Sequence, residues 1–403
     1  MRVAVTGATG LVGHHVVAAA LGGGHEVVAV TRPGRHLPQR LLALGEVGQE
    51  RASLTDPVSL ARALEGIDAV VHCAAVYSYH PAATEQLADV NVRGTRAVLE
   101  AAAAAGVTRA VVTSSAVTRG SSLQPLPRDE RHHLGTEPAP EYYASKVRQE
   151  QAALDVSEST GLEVVLALPT VVLGGPYDRL GPSNAIVLRY LLDPTRSTFP
   201  GGCNVVDARD VGAGHVVLLE RGEPGERYLL GGEDVSWRTL HGLVADLAGV
   251  GQPALELPAG AAWLAAGAAE AWARLTSSAP LSTREEASTV GRYYWYASDR
   301  ARTIGYAARP AREAVAASLA WLAIGPDLPR FVRESLRLAP AVRAARPLEP
   351  RALPDPVDAG TGQGARPGPD AGAEGRDPGS ARPLTPRRRP PRPAPPRRRR
   401  SPG

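Results

Sequence analysis

The segment EYYASKVRQ, residues 141–149, combines two tyrosines with the only lysine of the chain. Every other residue in the Lys+Arg total of 45 is arginine. A spacing of four residues places Tyr142 and Lys146 on one face of a helix. A free phenol with a pKa near ~10 is a poor base, but a neighbouring ammonium favours the phenolate. The pair therefore predicts proton exchange with a substrate oxygen.

Two alternatives stay open at this level. Tyr143 lies three residues before Lys146, so helical geometry alone does not exclude it as the reactive tyrosine. The second alternative is purely structural: the tyrosine only packs on its helix, and the lysine beside it is there by chance. The chemical interpretation needs a partner elsewhere in the chain, namely a site for a group that transfers hydride.

A glycine-rich turn, TGATGLVG, follows the first strand-like run. Its first glycine permits a tight turn, the second lets backbone approach a pyrophosphate, and the third lets helix and sheet pack closely. The helix that follows presents free N–H groups to phosphates. The motif predicts a nicotinamide dinucleotide site, with a merely tight turn as the alternative. The predicted cofactor contacts are Gly7, Thr9, Gly10, Leu11, Val12 and Gly13.

The end of the second strand, VVAVTRPGR, indicates which dinucleotide binds. NAD enzymes usually place an acid here for the ribose 2′-hydroxyl, whereas arginine accommodates the 2′-phosphate of NADP. Here no acid is present and the loop carries Arg32 and Arg35, which favours NADP, with NAD possible. An arginine that simply occupies a surface loop is the alternative. Asp56 could bind the adenine amino group or, equally, cap a helix that starts at Pro57.

Runs rich in Val and Ala alternate with alanine-rich helical stretches. This order predicts an α/β fold with a doubly wound parallel sheet, whose ligand site lies beyond the carboxyl ends of the strands. The predicted strands cover residues 2–7, 25–31, 68–74, 109–115 and 162–168. We expect a Rossmann domain over 1–170, to which 201–232 returns, and a smaller, mostly helical substrate lobe from 171–200 and 233–325.

Residues 346–403 differ in composition from the rest of the chain. They hold 13 Arg against 6 Asp+Glu and 15 of the 36 prolines, and they have no aromatic residue. Such a segment cannot bury enough apolar surface to offset its chain entropy, so we predict a disordered tail. Its basic charge could hold nucleic acid or an anionic membrane, although a solvated appendage without a partner is the simpler explanation.

The two cysteines, Cys73 and Cys203, are too few for a disulfide framework or a metal site, which indicates a reducing, cytoplasmic compartment. The chain begins in a strand-like run without the layout of a signal peptide. Its most apolar stretch, 257–275, contains Glu270 and is too short of uninterrupted apolar residues to span a bilayer. We predict an amphipathic helix packed on the protein there, with contact to a membrane surface less favoured. The histidines lack metal-ligand spacing, so no metal is expected.

Several motifs in a fixed order resemble the extended short-chain dehydrogenase/reductase family, also known as the NAD-dependent epimerase/dehydratase family. Within residues 1–325 the matching segments are TGATGLVG, VVHCAA, VNVRGT, VVTSSAV, YYASK, LPTVVLGGP, VVDARDVGAGHVVLLE and GERYLLGG. TSSAVTRG, GERYLLGGEDVSW and the closing IGYAARPAREAVAASLAWL are most similar to the dihydroflavonol-reductase-like branch and the hopanoid-associated sugar epimerase-like group.

The resemblance implies roles for individual residues. The implied catalytic residues are Ser115, Tyr142 and Lys146, with Ser114 as runner-up to Ser115. Lys146 and Tyr142 would also contact the cofactor, and the resemblance selects Tyr142 over Tyr143. Further implied cofactor contacts are Ala74, Asn91 and Pro169, with Thr170 beside the last. From the residues alone, the asparagine could equally cap or kink a helix, and the proline could simply end its strand.

The residues after the serine bear on the reaction. Dehydratases of the family carry an Asp-Glu pair there and its nucleotide-sugar epimerases a Tyr-Gly, whereas this chain has Thr118-Arg119-Gly120. We therefore expect NADP-dependent reduction of a ketone, or oxidation of a secondary alcohol, with Tyr142 as general acid/base. Epimerisation of a sugar derivative through a keto intermediate is one alternative, and a non-catalytic NADP sensor is another. The family commonly forms homodimers, so a homodimer is possible here.

Overall fold

The apolar runs of the sequence form a seven-stranded parallel sheet in the computed structural model, which describes residues 1–136, 139–276 and 284–345. The predicted tail at 346–403 lies outside the described residues. The strands are β1 (Arg2–Thr6), β2 (Glu26–Thr31), β3 (Val47–Arg51), β4 (Ala69–His72), β5 (Arg109–Thr113), β6 (Glu163–Pro169), β7 (Val171–Leu173), β8 (Ser197–Thr198), β9 (Gly202–Asp207), β10 (Arg227–Leu230), β11 (Glu233–Ser236), β12 (Leu255–Glu256) and β13 (Tyr293–Tyr294).

The order of strands in the large sheet is β10-β6-β5-β4-β1-β2-β3, and each neighbouring pair is parallel. This is the predicted doubly wound topology, and its ligand site lies at the carboxyl edge. All five predicted strands are present and begin within one residue of the prediction. Gly7, Ala74 and Ser115 already belong to loops at the ligand edge, so three predicted strands extend too far. The polar edge strand β3 has no apolar run to mark it.

Helices cover both faces of this sheet, and further helices belong to the smaller lobe. They are α1 (Leu11–Gly22), α2 (Gln39–Leu42), α3 (Pro57–Ala63), α4 (Thr84–Leu87), α5 (Gly94–Ala104), α6 (Glu141–Thr160), α7 (Pro182–Leu192), α8 (Ala208–Arg221), α9 (Trp237–Ala248), α10 (Ala259–Thr276), α11 (Arg284–Ala287), α12 (Asp299–Thr303), α13 (Ala311–Leu322), α14 (Arg330–Ser335) and α15 (Pro340–Ala344). Val3 and Val5 pack in the core below α1 and α8, whereas Ala4 faces α3, α5 and α6. None of the helices in the described ranges is both long and apolar enough to cross a membrane.

A second, smaller sheet supports the other side of the ligand edge. In it β9 pairs antiparallel with β11 and parallel with β7 and β13. Helices α7, α9 and α13 pack against this sheet around a separate core. Helix α8 packs on the core of the large sheet and strand β10 pairs with β6 in it, whereas β9 belongs to the smaller sheet. Both sheets lie in one compact unit.

Candidate active site

The carboxyl ends of the large sheet open into a cavity of about 1560 Å³ beside the smaller lobe. Twelve of the fourteen predicted site residues line it. The lining residues are Gly7, Thr9, Gly10, Leu11, Val12, Gly13, Arg32, Ala74, Ser115, Tyr142, Lys146 and Pro169. The two exceptions are Asp56 and Asn91. The glycine turn and the proposed catalytic residues therefore share one cavity, although they are distant in sequence.

The glycine turn has room for a ligand only because it lacks side chains. Gly7 has a φ of +69°, and a Cβ there would lie 2.7 Å from the backbone nitrogen of Ala74. A Cβ on Gly13 would lie 2.2 Å from the carbonyl oxygen of Gly7. Gly10 is the N-cap of α1 and supplies no side-chain cap, so the first N–H groups of the helix are left for a ligand. This cradle fits the pyrophosphate of a dinucleotide, which needs close backbone approach at a helix N-terminus.

The loop after β2 flanks the same cavity with basic residues. Arg32 and Arg35 both line it, and Gln49 Nε2 holds the loop by donating to the carbonyl oxygen of Arg35 at 2.8 Å. Asp56 instead caps α3, where its Oδ1 accepts from the backbone N–H of Val58 at 3.1 Å. The predicted adenine contact of Asp56 is therefore not supported, because the carboxylate lies off the cavity and has a structural partner. The capping alternative describes it.

A third arginine, which the sequence analysis did not single out, connects the turn to the smaller lobe. Arg40 Nη2 donates to the carbonyl oxygen of Thr9 at 2.8 Å, and the same guanidinium forms a bidentate pair with Asp178 at 2.5 and 2.9 Å. The bidentate geometry fixes the loop that carries Asp178 over the glycine turn. Only the fold brings these residues together, since they are 138 positions apart.

The first turn of α6 places both tyrosines of the YYASK motif in the cavity wall, but their hydroxyls have different partners. The Tyr142 hydroxyl is hydrogen-bonded to the Ser115 side chain, whereas the Tyr143 hydroxyl pairs with Tyr294. Burial raises the pKa of the Tyr142 phenol, nearby Tyr77 raises it further, and the Ser115 hydrogen bond acts in the opposite direction. The geometry therefore pairs Tyr142, and not Tyr143, with the predicted serine.

Lys146 lies one turn further along α6 and is 2% exposed. Its Nζ donates to the carbonyl oxygen of Thr113 at 3.0 Å and to Gln149 Oε1 at 2.7 Å, and lies 6.0 Å from the centroid of the Tyr142 ring. Burial lowers the pKa of this ammonium to about 7, with the carboxylate of Glu150 acting in the opposite direction. The predicted lowering of the Tyr142 pKa by Lys146 is not found in this arrangement, because burial of the phenol dominates and raises its pKa.

A buried ion cluster separates the roles of the two serines. Ser114 Oγ donates to Glu150 Oε1 at 2.7 Å, while Glu150 Oε2 accepts from Arg119 Nη2 at 2.9 Å and Arg227 Nε at 2.8 Å. Ser114 is thus committed to a structural partner, and Ser115 is the serine next to the tyrosine. Sequence reasoning missed Glu150, although its position four residues after Lys146 places it on the same helix face.

Asn91 lies in a π-helical turn, Ala88–Arg93, and is fully buried outside the cavity. Its side chain accepts from the backbone N–H of Val76 at 2.7 Å and donates to the carbonyl oxygen of Val76 at 3.0 Å. A direct cofactor contact is therefore not supported, because the amide is engaged in holding the loop after β4. Pro169 ends β6 and lines the cavity beside Thr170.

The loop after β4 adds an aromatic wall that sequence reasoning did not identify. The ring of Tyr77 stacks on that of Tyr142 with centroids 4.6 Å apart, and Tyr79 meets the same ring edge-on at 6.0 Å. The cavity is also lined by further apolar and aromatic residues, from this region and from the smaller lobe: Val76, Val90, Val117, Ile186, Phe199, Trp237, Leu257 and Tyr294. The signal available in the sequence is the segment VYSY directly after VVHCAA.

Comparison with known proteins agrees with this geometry. A model described as the NAD dependent epimerase/dehydratase family matches residues 3–231. The chain is 34% identical over 264 residues to sterol demethylase protein B of Methylococcus capsulatus, covering 64% of this chain and 78% of that protein. It is 34% identical over 273 residues to a putative dihydroflavonol 4-reductase of Synechocystis sp., covering 64% of this chain and 77% of that protein. The crystal structure of gox2253 matches this structure with a TM-score of 0.71 and 31% sequence identity, covering 81% of this chain and 99% of that one.

Proposed function

Since the chain belongs to the NAD-dependent epimerase/dehydratase family, we propose that it is an NADP-dependent reductase of bulky, apolar ketones, which can also oxidise the corresponding secondary alcohols. The family and its relatives are enzymes of the extended short-chain dehydrogenase/reductase type, so the predicted resemblance is confirmed. The chain is accordingly an NAD(P)-dependent oxidoreductase or epimerase, and the alternative of a non-catalytic sensor is set aside.

The observation that carries the proposal is the Tyr142–Ser115 hydroxyl pair beside an aromatic wall in the cavity of the glycine turn. NADPH bound in this turn would supply the hydride to the carbonyl carbon. The Tyr142 phenol donates its proton to the carbonyl oxygen, and Ser115 holds that oxygen by a hydrogen bond. A raised pKa keeps the phenol protonated, which is the form that reduction requires. A positive charge on Lys146, 6.0 Å from the ring centroid, would offset part of the cost of burial for the phenolate that is left.

The preference for NADP rests on the loop after β2. Arg32 and Arg35 line the cavity there, and a 2′-phosphate would be bound by arginine at this position. We expect NADPH to be used with a KM at least about tenfold lower than that of NADH. Arg32→Glu should reduce or reverse this ratio, whereas Arg62→Glu, on the exposed side of α3, should not.

The preference for an apolar substrate rests on the composition of the wall. Tyr77, Tyr79 and Trp237 offer ring faces and edges, which suit ring-bearing carbonyl compounds. Arg119, at the position where the family's sugar epimerases differ, is held by Glu150 and by the carbonyl oxygens of Glu130 and His132, so its charge is not available to a nucleotide diphosphate. This arrangement favours ketone reduction over epimerisation of a nucleotide sugar.

The proposal is tested with purified protein, NADPH and a panel of carbonyl compounds, followed by nicotinamide absorbance. The panel contrasts bulky ring ketones with compact hydrophilic ketones and with nucleotide sugars. We expect kcat/KM for the best ring ketone to exceed that for the compact ketones at least about tenfold. Conversion of a nucleotide sugar without net NADPH consumption, or no turnover of any carbonyl compound, would contradict the proposal.

We place the enzyme in the cytosol, because Cys73 and Cys203 are free thiols.

A further inference from the structure

Helix α10 of the smaller lobe lies between the cavity and the protein surface. The alanines that it turns toward the cavity are Ala262, Ala266 and Ala269. The opposite side carries large apolar side chains: Leu264 is 67% exposed, Trp272 68% and Leu275 83%. A helix with a small-residue inner face and a bulky apolar outer face is not explained by packing on its own protein, since packing would bury the bulky face.

The described side chains on the outer face of α10 carry no charge. The positions that share this face, at spacings of three and four, are Leu264, Ala268, Ala271, Trp272 and Leu275. The charge of Glu270 lies at the flank, where its Oε1 accepts from the backbone N–H of Arg284 at 2.7 Å. The guanidinium of Arg284 in turn lies 4.6 Å from the centroid of the Trp263 ring. A cation beside an exposed tryptophan is a combination that suits the interface between water and lipid.

The size and charge of this surface favour a lipid partner over a second copy of the chain. A few partly exposed Trp and Leu side chains offer roughly 500 Å², below the ~800 Å² per partner of a stable protein interface. Residues 346–403 carry 13 Arg against 6 Asp+Glu and so complement an anionic membrane surface. We propose that the outer face of α10 inserts into the surface of an anionic lipid bilayer.

This docking has a consequence for the enzyme. Because the inner face of α10 forms part of the cavity wall, a bilayer on its outer face would lie one helix diameter from the substrate. An apolar ketone dissolved in the membrane would then reach the cavity beside α10 without crossing water. This consequence depends on the proposed function, whereas the docking itself does not.

The docking is tested by co-sedimentation of the full chain with vesicles, without substrate. One set of vesicles is pure phosphatidylcholine and the other also contains phosphatidylglycerol. We expect binding to the phosphatidylglycerol vesicles, and the double variant Trp272→Ser with Leu275→Ser should bind at least about tenfold more weakly. Phe331→Ser on α14, where the side chain is 75% exposed, is the matched control and should bind like the unchanged chain. Unchanged melting temperatures show that the variants fold.

Three outcomes overturn the proposal. In the first, the full chain fails to bind phosphatidylglycerol vesicles. In the second, the double variant binds as well as Phe331→Ser, which would assign all binding to the basic residues. In the third, light scattering without lipid shows a dimer that the double variant converts to a monomer, which would assign the face to a second copy. Each outcome leaves the reductase assay unaffected, so failure of the docking and failure of the proposed function are distinguishable.

Discussion

Replacing Glu150 by glutamine should destabilise the protein far more than its single charge would suggest. The carboxylate is buried and accepts hydrogen bonds from Ser114, Arg119 and Arg227. Glu150→Gln keeps the size of the side chain and an acceptor for Ser114, but it leaves Arg119, whose side chain is 4% exposed, without a counter-charge. Removing one partner of a buried ion pair costs about 3–5 kcal/mol.

We expect the lower end, about 3 kcal/mol, because Arg119 keeps its hydrogen bonds to two backbone carbonyl oxygens. For a folded part of roughly 340 residues this corresponds to a fall in Tm of about 4 °C. The assay is guanidinium chloride unfolding at neutral pH. Glu100→Gln is the control, since its pair with Arg96 at 3.8 Å is exposed and should contribute less than about 0.5 kcal/mol. Equal losses for the two variants would refute the assignment of a buried cluster.

Three further predictions follow from the same structure. Gly13→Ala should abolish NADPH binding in a fluorescence titration, because its Cβ would lie 2.2 Å from the Gly7 carbonyl oxygen; Gly22→Ala, with nothing within 4 Å, should bind normally, and equal affinities would contradict the cradle. Folding lowers the pKa of Lys146 to about 7 from 10.5, so the unfolded chain binds more protons between these values and the free energy of unfolding rises with pH. Lys146→Met should remove up to about 1.4 kcal/mol per pH unit of that rise. The free energy of unfolding is measured at several pH values, and the same dependence on pH in the variant and the unchanged chain would contradict this. Deleting 346–403 should leave Tm and kcat/KM in lipid-free buffer unchanged, and a large loss of either would show that the tail belongs to the fold.

The sequence predicted the features that depend on neighbours along the chain. The glycine turn, the Tyr142–Lys146 spacing and the apolar strands are local patterns. In the structure the strands form the sheet, and the turn and the two side chains line the cavity at its carboxyl edge. The partners of Glu150 could not be predicted, since Arg119 and Arg227 come from distant elements that only the fold brings together.

Electrostatics was the least predictable part of the site. The spacing of Tyr142 and Lys146 suggested a phenol made more acidic by an ammonium, but the burial that decides both pKa values depends on the surrounding lobe. The aromatic wall with Tyr77 could not be predicted for the same reason, because the loop after β4 becomes part of the site only when it folds over α6.

The central claim is that Tyr142 alone exchanges the proton with the substrate oxygen. The most direct measurement compares single-turnover NADPH oxidation by Tyr142→Phe and Tyr143→Phe, with NADPH binding measured in parallel. We predict that Tyr142→Phe lowers the rate about 10²–10⁴-fold with NADPH affinity unchanged, while Tyr143→Phe stays within about tenfold of the unchanged enzyme. A full loss in Tyr143→Phe with retained turnover in Tyr142→Phe would contradict it.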